Sequence, residues 1–218
     1  MTEDANCDSP EIRKVLCSTA GMAEFAEVLQ DEMASNQFVE WQAAFTPDET
    51  KRIRTEFDDY VSDNLHSFNL IPESSVQWVY DRMIALAVQA DAKAGWGLLD
   101  KAHASHTDEL IYDRFGPKFS DPEFKWHVDA SDGDPRLISV VAYLSDATEF
   151  EGGQFQMELI QLGGSEVTVE ARDFTRGCAI AFPSKSLRHV VQPVTGGERR
   201  SFLLLVGNRT LMPNRIVG

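Results

Sequence analysis

Eight short runs rich in β-branched and aromatic residues, each closed by turn-forming residues, occupy the second half of this chain and constrain its fold more than any other feature. They fall at about Glu109 to Phe115, Lys125 to Asp129, Leu137 to Leu144, Gly153 to Leu159, Glu166 to Glu170, Ala179 to Phe182, Leu187 to Pro193 and Arg199 to Val206. The clearest turns are Asp132-Gly133-Asp134-Pro135, Glu151-Gly152-Gly153, Gly163-Gly164 and Thr195-Gly196-Gly197, where glycine and proline supply the backbone angles that a reversal needs. Strands this short and this regularly punctuated predict two facing antiparallel sheets closed into a jelly-roll barrel.

The first half has a different period. Thr46-Pro47-Asp48-Glu49 reads as a capping box with proline in the first helical turn, so a helix is expected from Pro47 to about Leu65. Ile53, Phe57, Tyr60 and Val61 give it one apolar stripe. A second helix is expected from about Glu73 to Ala92, with Val76, Val79, Tyr80, Met83, Ile84 and Ala87 as its inner face and Ala94-Gly95-Trp96-Gly97 as its stop. Ala20 to Met33 reads as a further, peripheral helix. The fold class expected is therefore α+β: a double-stranded β-helix (jelly-roll, cupin-like) barrel with an N-terminal set of supporting helices. One domain is expected over 1–218, with a helical region over about 11–100 and the barrel over about 109–208.

Composition narrows the partners. Twenty basic against 35 acidic side chains leave a formal charge of −15, which makes nucleic acid and anionic membranes poor default partners. The three cysteines, Cys7, Cys17 and Cys178, show no C-x-x-C spacing, so neither a disulfide framework nor a structural zinc cluster is expected. Cys178, in Gly177-Cys178-Ala179-Ile180, reads as a buried strand thiol. The acidic N-terminus lacks the features of a signal peptide and no apolar run is long enough to span a bilayer, so a cytoplasmic location is the expectation. Composition says nothing of oligomeric state.

The sharpest chemical signal is Trp126-His127-Val128-Asp129, with a second histidine in Arg188-His189-Val190-Val191. Two imidazoles and one carboxylate are the ligand set of a facial iron(II) site with open positions. In an extended strand residues i and i+2 share a face, so His127 and Asp129 can grip one ion while Val128 points into the core. Trp126, alternating away from His127, reads as packing outside the barrel, with walling of the site as the alternative, and Tyr112 lies on the face opposite to Phe115. Arg188 faces either substrate or solvent. His103 and His106 read as polar loop residues, His66 as a helix-end residue, Lys118 and Lys185 as exposed lysines, and Asp121, Asp132 and Asp134 as turn residues.

The order of these motifs resembles a known family. His-Val-Asp at 127–129 is followed by Val140-Val141-Ala142-Tyr143-Leu144-Ser145, then by Phe150-Glu151-Gly152-Gly153-Gln154-Phe155. The run from Phe182 through Arg188-His189-Val190-Val191-Gln192-Pro193-Val194-Thr195-Gly196-Gly197-Glu198-Arg199-Arg200-Ser201 completes the set. Together they resemble the barrel of iron(II) and 2-oxoglutarate dependent dioxygenases, and within them the prolyl 4-hydroxylase group. The resemblance implies that His127, Asp129 and His189 hold Fe(II), that Arg199 pairs with the distal carboxylate of 2-oxoglutarate, and that Ser201 and Tyr143 add hydroxyl donors to it. It further implies O2 as oxidant, ascorbate as a candidate accessory reductant, and hydroxylation of an unactivated C–H bond with release of succinate and CO2. The carboxylate at 129 favours hydroxylation over halogenation. The chain departs from many members at Phe115 and Phe124, where they carry tyrosines, and at Pro117 to Glu123, which reads either as a lid or as a solvated connection.

The expected substrate is a prolyl residue of a peptide or protein, a free amino acid or another small molecule. Two other functions fit the ligand set. One is a non-catalytic metal-binding sensor or binding module on the same cupin-like barrel, against which Arg199 and Ser201 argue. The other is a zinc hydrolase, for which no residue stands out as a general base.

Overall fold

The computed structural model describes residues 32–34, 36–60, 67–70, 77–99, 107–118, 125–160, 167–172 and 174–207. In chain order the elements are β1 (Glu32–Ala34), β2 (Val39–Trp41), α1 (Pro47–Phe57), β3 (Ser67–Leu70), α2 (Gln77–Ala94), β4 (Thr107–Phe115), β5 (Arg136–Tyr143), β6 (Phe150–Gly152), β7 (Phe155–Ile160), β8 (Val167–Arg172), β9 (Ala179–Pro183), β10 (His189–Val191), β11 (Val194–Gly197) and β12 (Arg199–Gly207).

Alternation along β5, β9 and β12 decides how these elements layer. Ile138, Val140, Ala142, Ala179, Ala181, Phe202, Leu204 and Val206 are buried together with Ile53, Phe57, Met83 and Leu86 of the two helices. The intervening Tyr143, Ile180 and Phe182 are buried instead with Phe155, Met157 and Leu159 of β7. The large sheet is thus covered on both faces, by helices on one and by the small sheet on the other. Its order is β1-β2-β9-β5-β12-β4-β3, and the small sheet is β10-β7-β8. Every pairing is antiparallel. This is the α+β jelly roll expected from the strand pattern.

The capping box forms as read: Thr46 Oγ1 accepts from Glu49 N at 3.2 Å while Glu49 Oε2 accepts from Thr46 N at 2.8 Å. Arg82 of α2 reaches across to Glu49 Oε1 at 2.9 Å and to the Ala44 carbonyl at 2.8 Å, tying the two helices together. The first helix is shorter than its stripe suggests. It ends at Phe57 and passes into a 3-10 turn over Asp58–Tyr60. There Asp58 turns to the sheet, accepting from Arg200 Nε at 2.7 Å and from the Tyr112 hydroxyl at 2.6 Å. The second helix spans Gln77–Ala94 among the described residues and stops at Gly95, whose φ of 66° is left-handed.

Four expectations are corrected. Glu32 and Met33, placed in a helix from Ala20 to Met33, belong instead to the strand Glu32–Ala34 paired with β2; residues 20–31 lie outside the described region. Strands β1, β2 and β3 all fall in the part read as helical. The turns Glu151-Gly152-Gly153 and Thr195-Gly196-Gly197 sit largely in two short strands, β6 and β11, which pair with each other. Leu187 to Pro193 is a strand only over His189–Val191, because Leu187 N still bonds to the Pro183 carbonyl in the preceding turn.

Cys178 is buried and free, with Sγ 3.3 Å from the Gln42 carbonyl. Cys7, Cys17, His66, His103, His106, Phe124 and residues 119–123 of the 117–123 loop lie outside the described residues. Among the described residues no helix is long and apolar enough to cross a membrane.

Candidate functional site

His189 starts β10 and His127 faces it across one isolated antiparallel bridge, with His127 N to the His189 carbonyl at 3.0 Å and His189 N to the His127 carbonyl at 2.9 Å. The predicted strand from Lys125 to Asp129 is only this rung. That is enough to set both imidazoles on one side, their ring centroids 4.4 Å apart. Asp129 Oδ1 lies 3.4 Å from His127 Nε2 and 3.5 Å from His189 Nε2. The three side chains offer ligand atoms within 4.8 Å of one another, the span at which they can share one ion.

Each ring is oriented from behind. His127 Nδ1 is 2.9 Å from the Lys125 carbonyl and His189 Nδ1 is 3.1 Å from the Leu187 carbonyl. A carbonyl accepts only, so each Nδ1 carries a proton and each Nε2 is the nitrogen turned toward Asp129, the one left to bind an ion. The hydrogen bond to Asp129 raises the affinity of His127 for a proton, whereas burial lowers that of His189. Burial opposes ionisation of Asp129, yet the histidines and the Ser139 hydroxyl outweigh it and hold its pKa below the usual 3.8. The group offers an ionised carboxylate and a neutral buried imidazole, with His127 the member that a bound cation would have to compete with a proton for.

The barrel interior beyond the triad holds a bare positive charge. Arg199 is 2% exposed, on the face of β12 that turns from the helices. Its Nη1 donates to Ser201 Oγ at 3.2 Å, its Cζ stands 5.0 Å from the centre of the Tyr143 ring, and its Nε has no hydrogen-bond partner. The Tyr143 hydroxyl, also buried, has none either. Burial pushes that phenol's pKa up, against the opposing charge of Arg199, so it stays protonated and able to donate. Ser201 and Tyr143 are directly opposed across β12 and β5. A cavity of about 190 Å³ opens here, lined by Tyr143, Gly153, Phe155, Arg172, Phe174 and Arg199. Unlike Arg199, Arg172 is neutralised, by Glu40 at 2.9 Å and Glu170 at 2.8 Å. Burial raises the pKa of Glu40, and Arg172 opposes it.

The structure corrects the neighbours of the first histidine. Val128 is 37% exposed rather than in the core, because the segment makes a single rung and no layer of the described residues packs behind it. Trp126 is half-buried under Arg188, whose Cζ lies 5.6 Å from its ring centre. Arg188 also pairs with Glu158 at 2.5 Å. Tyr112 is fully buried against Phe57 and Phe202 on the helical side, as alternation placed it. Phe115 is the cross-strand partner of Arg199. Lys118 and Lys185 are exposed, and Asp134 sits in its turn, bonded to Arg136.

Some residues of this region were not singled out in the sequence. Glu40 and Arg172 come together from strands far apart in the chain, so no local spacing marks them. Ser139 was legible in principle, since counting back in twos from Tyr143 along β5 puts it on the same face. Its Oγ donates to Asp129 Oδ2 at 2.5 Å.

Comparison with known proteins gives matches over the barrel and to its fold. A family model described as the 2OG-Fe(II) oxygenase superfamily matches residues 114–206. A PKHD-type hydroxylase of Synechococcus sp. (strain CC9902) is 34% identical over 104 residues, which cover 44% of this chain and 44% of that protein. The match thus spans under half of the curated relative's length. A Pseudomonas putida prolyl-4-hydroxylase is similar in fold, with a TM-score of 0.59 at 20% identity, covering 86% of this chain and 94% of that one. A Trichoplax adhaerens prolyl hydroxylase, solved with a hypoxia inducible factor peptide fragment, gives 0.60 at 13% identity over 81% of this chain and 86% of that one. Over its barrel the chain is thus similar to the 2OG-Fe(II) oxygenase superfamily, and it shares its fold with prolyl hydroxylases.

Proposed function

We propose that this protein is an Fe(II)- and 2-oxoglutarate-dependent dioxygenase that hydroxylates an unactivated C–H bond and releases succinate and CO2. The observation that carries the proposal is Arg199: a guanidinium 2% exposed that pairs with no carboxylate among the described residues, beside an unpartnered phenol and an open cavity. An uncompensated buried charge is costly. A ligand carboxylate entering the cavity would relieve that cost and satisfy Arg199 Nε and the Tyr143 hydroxyl together.

The donor set fits Fe(II), for which two imidazoles and a carboxylate on one side of the ion leave the opposite positions free. His127, Asp129 and His189 would hold the iron, and Arg199, Tyr143 and Ser201 the distal carboxylate of the keto acid. When bound, iron and keto acid together supply the activation of O2. The chain's own contribution is physical. Arg199 fixes the far end of the co-substrate, Tyr143 donates one proton to that carboxylate without releasing it, and Phe155, Phe174 and Phe182 keep water from the inner wall. His127, 49% exposed at its side chain, marks the open side from which the primary substrate would approach.

The substrate is proposed as a prolyl residue, a free amino acid or another small molecule, the first because fold neighbours are prolyl hydroxylases. The test is a screen of proline-bearing peptides and amino acids with Fe(II), 2-oxoglutarate and O2, with and without ascorbate as accessory reductant. Succinate and a mass gain of one oxygen should appear together. If the protein neither forms succinate nor binds 2-oxoglutarate in the presence of divalent metal, the proposal fails.

A further inference from the structure

Asp129 has two oxygens, and the structure gives them different work. Oδ1 faces both histidine Nε2 atoms, at 3.4 and 3.5 Å. Oδ2 accepts from Ser139 Oγ at 2.5 Å, and Ser139 Oγ lies 2.8 Å from Ser184 Oγ. Both serines are fully buried. An ionised carboxylate accepts only, so Ser139 must give it its single proton, and Ser139 oxygen then accepts from Ser184. The relay therefore has one direction, from Ser184 through Ser139 to Asp129. Its far end is anchored in the backbone as well: Ser184 N donates to the Leu137 carbonyl at 2.9 Å, and the Ser184 carbonyl accepts from Ala130 N at 3.0 Å. The residue that begins the relay thus also ties the segment carrying Asp129 to the head of β5.

We infer that Ser139 and Ser184 are positioning residues that restrict Asp129 to one metal-binding oxygen. A carboxylate beside a cation can offer either one oxygen or both. Here a short charge-assisted hydrogen bond occupies the second oxygen and holds the carboxylate plane, so the ion meets Oδ1 alone. One-oxygen ligation leaves room for a keto acid that needs two positions and for O2. Neither serine lines the cavity beside Arg199, so their influence on the co-substrate runs only through Asp129. The inference rests on the reading of His127, Asp129 and His189 as iron ligands.

The experiment compares Ser139→Ala and Ser184→Ala with the wild-type chain. Co(II) is the spectroscopic probe and anaerobic Mn(II)-loaded protein the reagent for 2-oxoglutarate titration. Ser139→Ala should alter the Co(II) ligand-field spectrum, weaken metal binding roughly 10- to 100-fold, as loss of a ligand's supporting hydrogen bond does elsewhere, and weaken 2-oxoglutarate binding with it. Ser184→Ala, which keeps the Ser139 hydroxyl, should shift all three in the same direction by a smaller factor. A merely structural role would lower the melting temperature of the metal-free protein while leaving spectrum and affinities unchanged, and that result overturns the inference. Should Ser139→Ala fail to fold, Ser184→Ala decides the matter by the same readouts. Wild-type protein that binds Co(II) no better than a His189→Ala control would instead overturn the iron reading itself.

Discussion

At the scale of single residues, the decisive balance is between the cost of burying Arg199 and what a ligand returns. Arg199→Ala should raise the 2-oxoglutarate concentration needed for half-saturation by a factor equivalent to roughly 2 to 5 kcal/mol, as for a carboxylate stripped of a buried charged partner. Arg199→Lys should recover only part of this, since an ammonium cannot reproduce two parallel hydrogen bonds. Titration of anaerobic Mn(II)-loaded protein checks both. Gly153 offers a quieter way to the same pocket: its φ is 65°, and an added Cβ would lie 3.1 Å from Arg199 Cδ and 3.0 Å from Val194 Cγ2. Gly153→Ala should therefore lower the melting temperature and weaken 2-oxoglutarate binding together. The proposed ligands, which the structure brings together, were legible in the sequence because a period of two puts His127 and Asp129 side by side. Val128 was misplaced because the same rule assumes a layer on the other side, and the described residues supply none there. Ser184 carried no signal, since it sits in the turn after β9, where no period applies.

Among the elements, the clearest sequence signal was the start of α1. Thr46→Ala should cost about 1 kcal/mol, measured as a shift in the denaturation midpoint, because Glu49 N loses its acceptor. The end of that helix was misread because its cause is remote. Asp58 is drawn to Arg200 and Tyr112 on the sheet, which no local spacing announces. Burial alone would raise the pKa of Asp58, but its bonds to Arg200 and Tyr112 outweigh it and hold the value below the usual 3.8. A group depressed in the folded state stabilises the fold above its unfolded pKa and loses that contribution as pH falls through the folded one. Wild-type stability should therefore decline from about pH 4 downward, and in Asp58→Asn that part of the pH profile should flatten. Strands β1, β2 and β3 were invisible for a related reason. They are three or four residues long, and β2 reaches the rest of the large sheet only through Ala179–Ala181.

For the whole molecule, metal and co-substrate should act on stability as ligands of the folded state alone. Mn(II) with 2-oxoglutarate, each at about 100 times its dissociation constant, should each add up to about 2.7 kcal/mol, visible as a rise in melting temperature that a chelator removes. The gain should be absent in Asp129→Ala, which at the same time should lose hydroxylation.

The pairing of β2 with β9 bears on how the protein is made. Val39–Trp41 leaves the ribosome long before Ala179–Ala181 exists, and Glu40 must wait equally long for Arg172. Until then Val39 and Trp41, fully buried in the finished fold, have only the short β1 beside them and lack the β9 edge that joins them to the sheet. The helices can form from local contacts as they emerge, but the sheet closes only after most of the barrel has been synthesised. Folding in the cell should thus end with the capture of an early segment by a late one. That interval is when the nascent chain is most exposed to misassociation, and when a holdase chaperone would have most to protect.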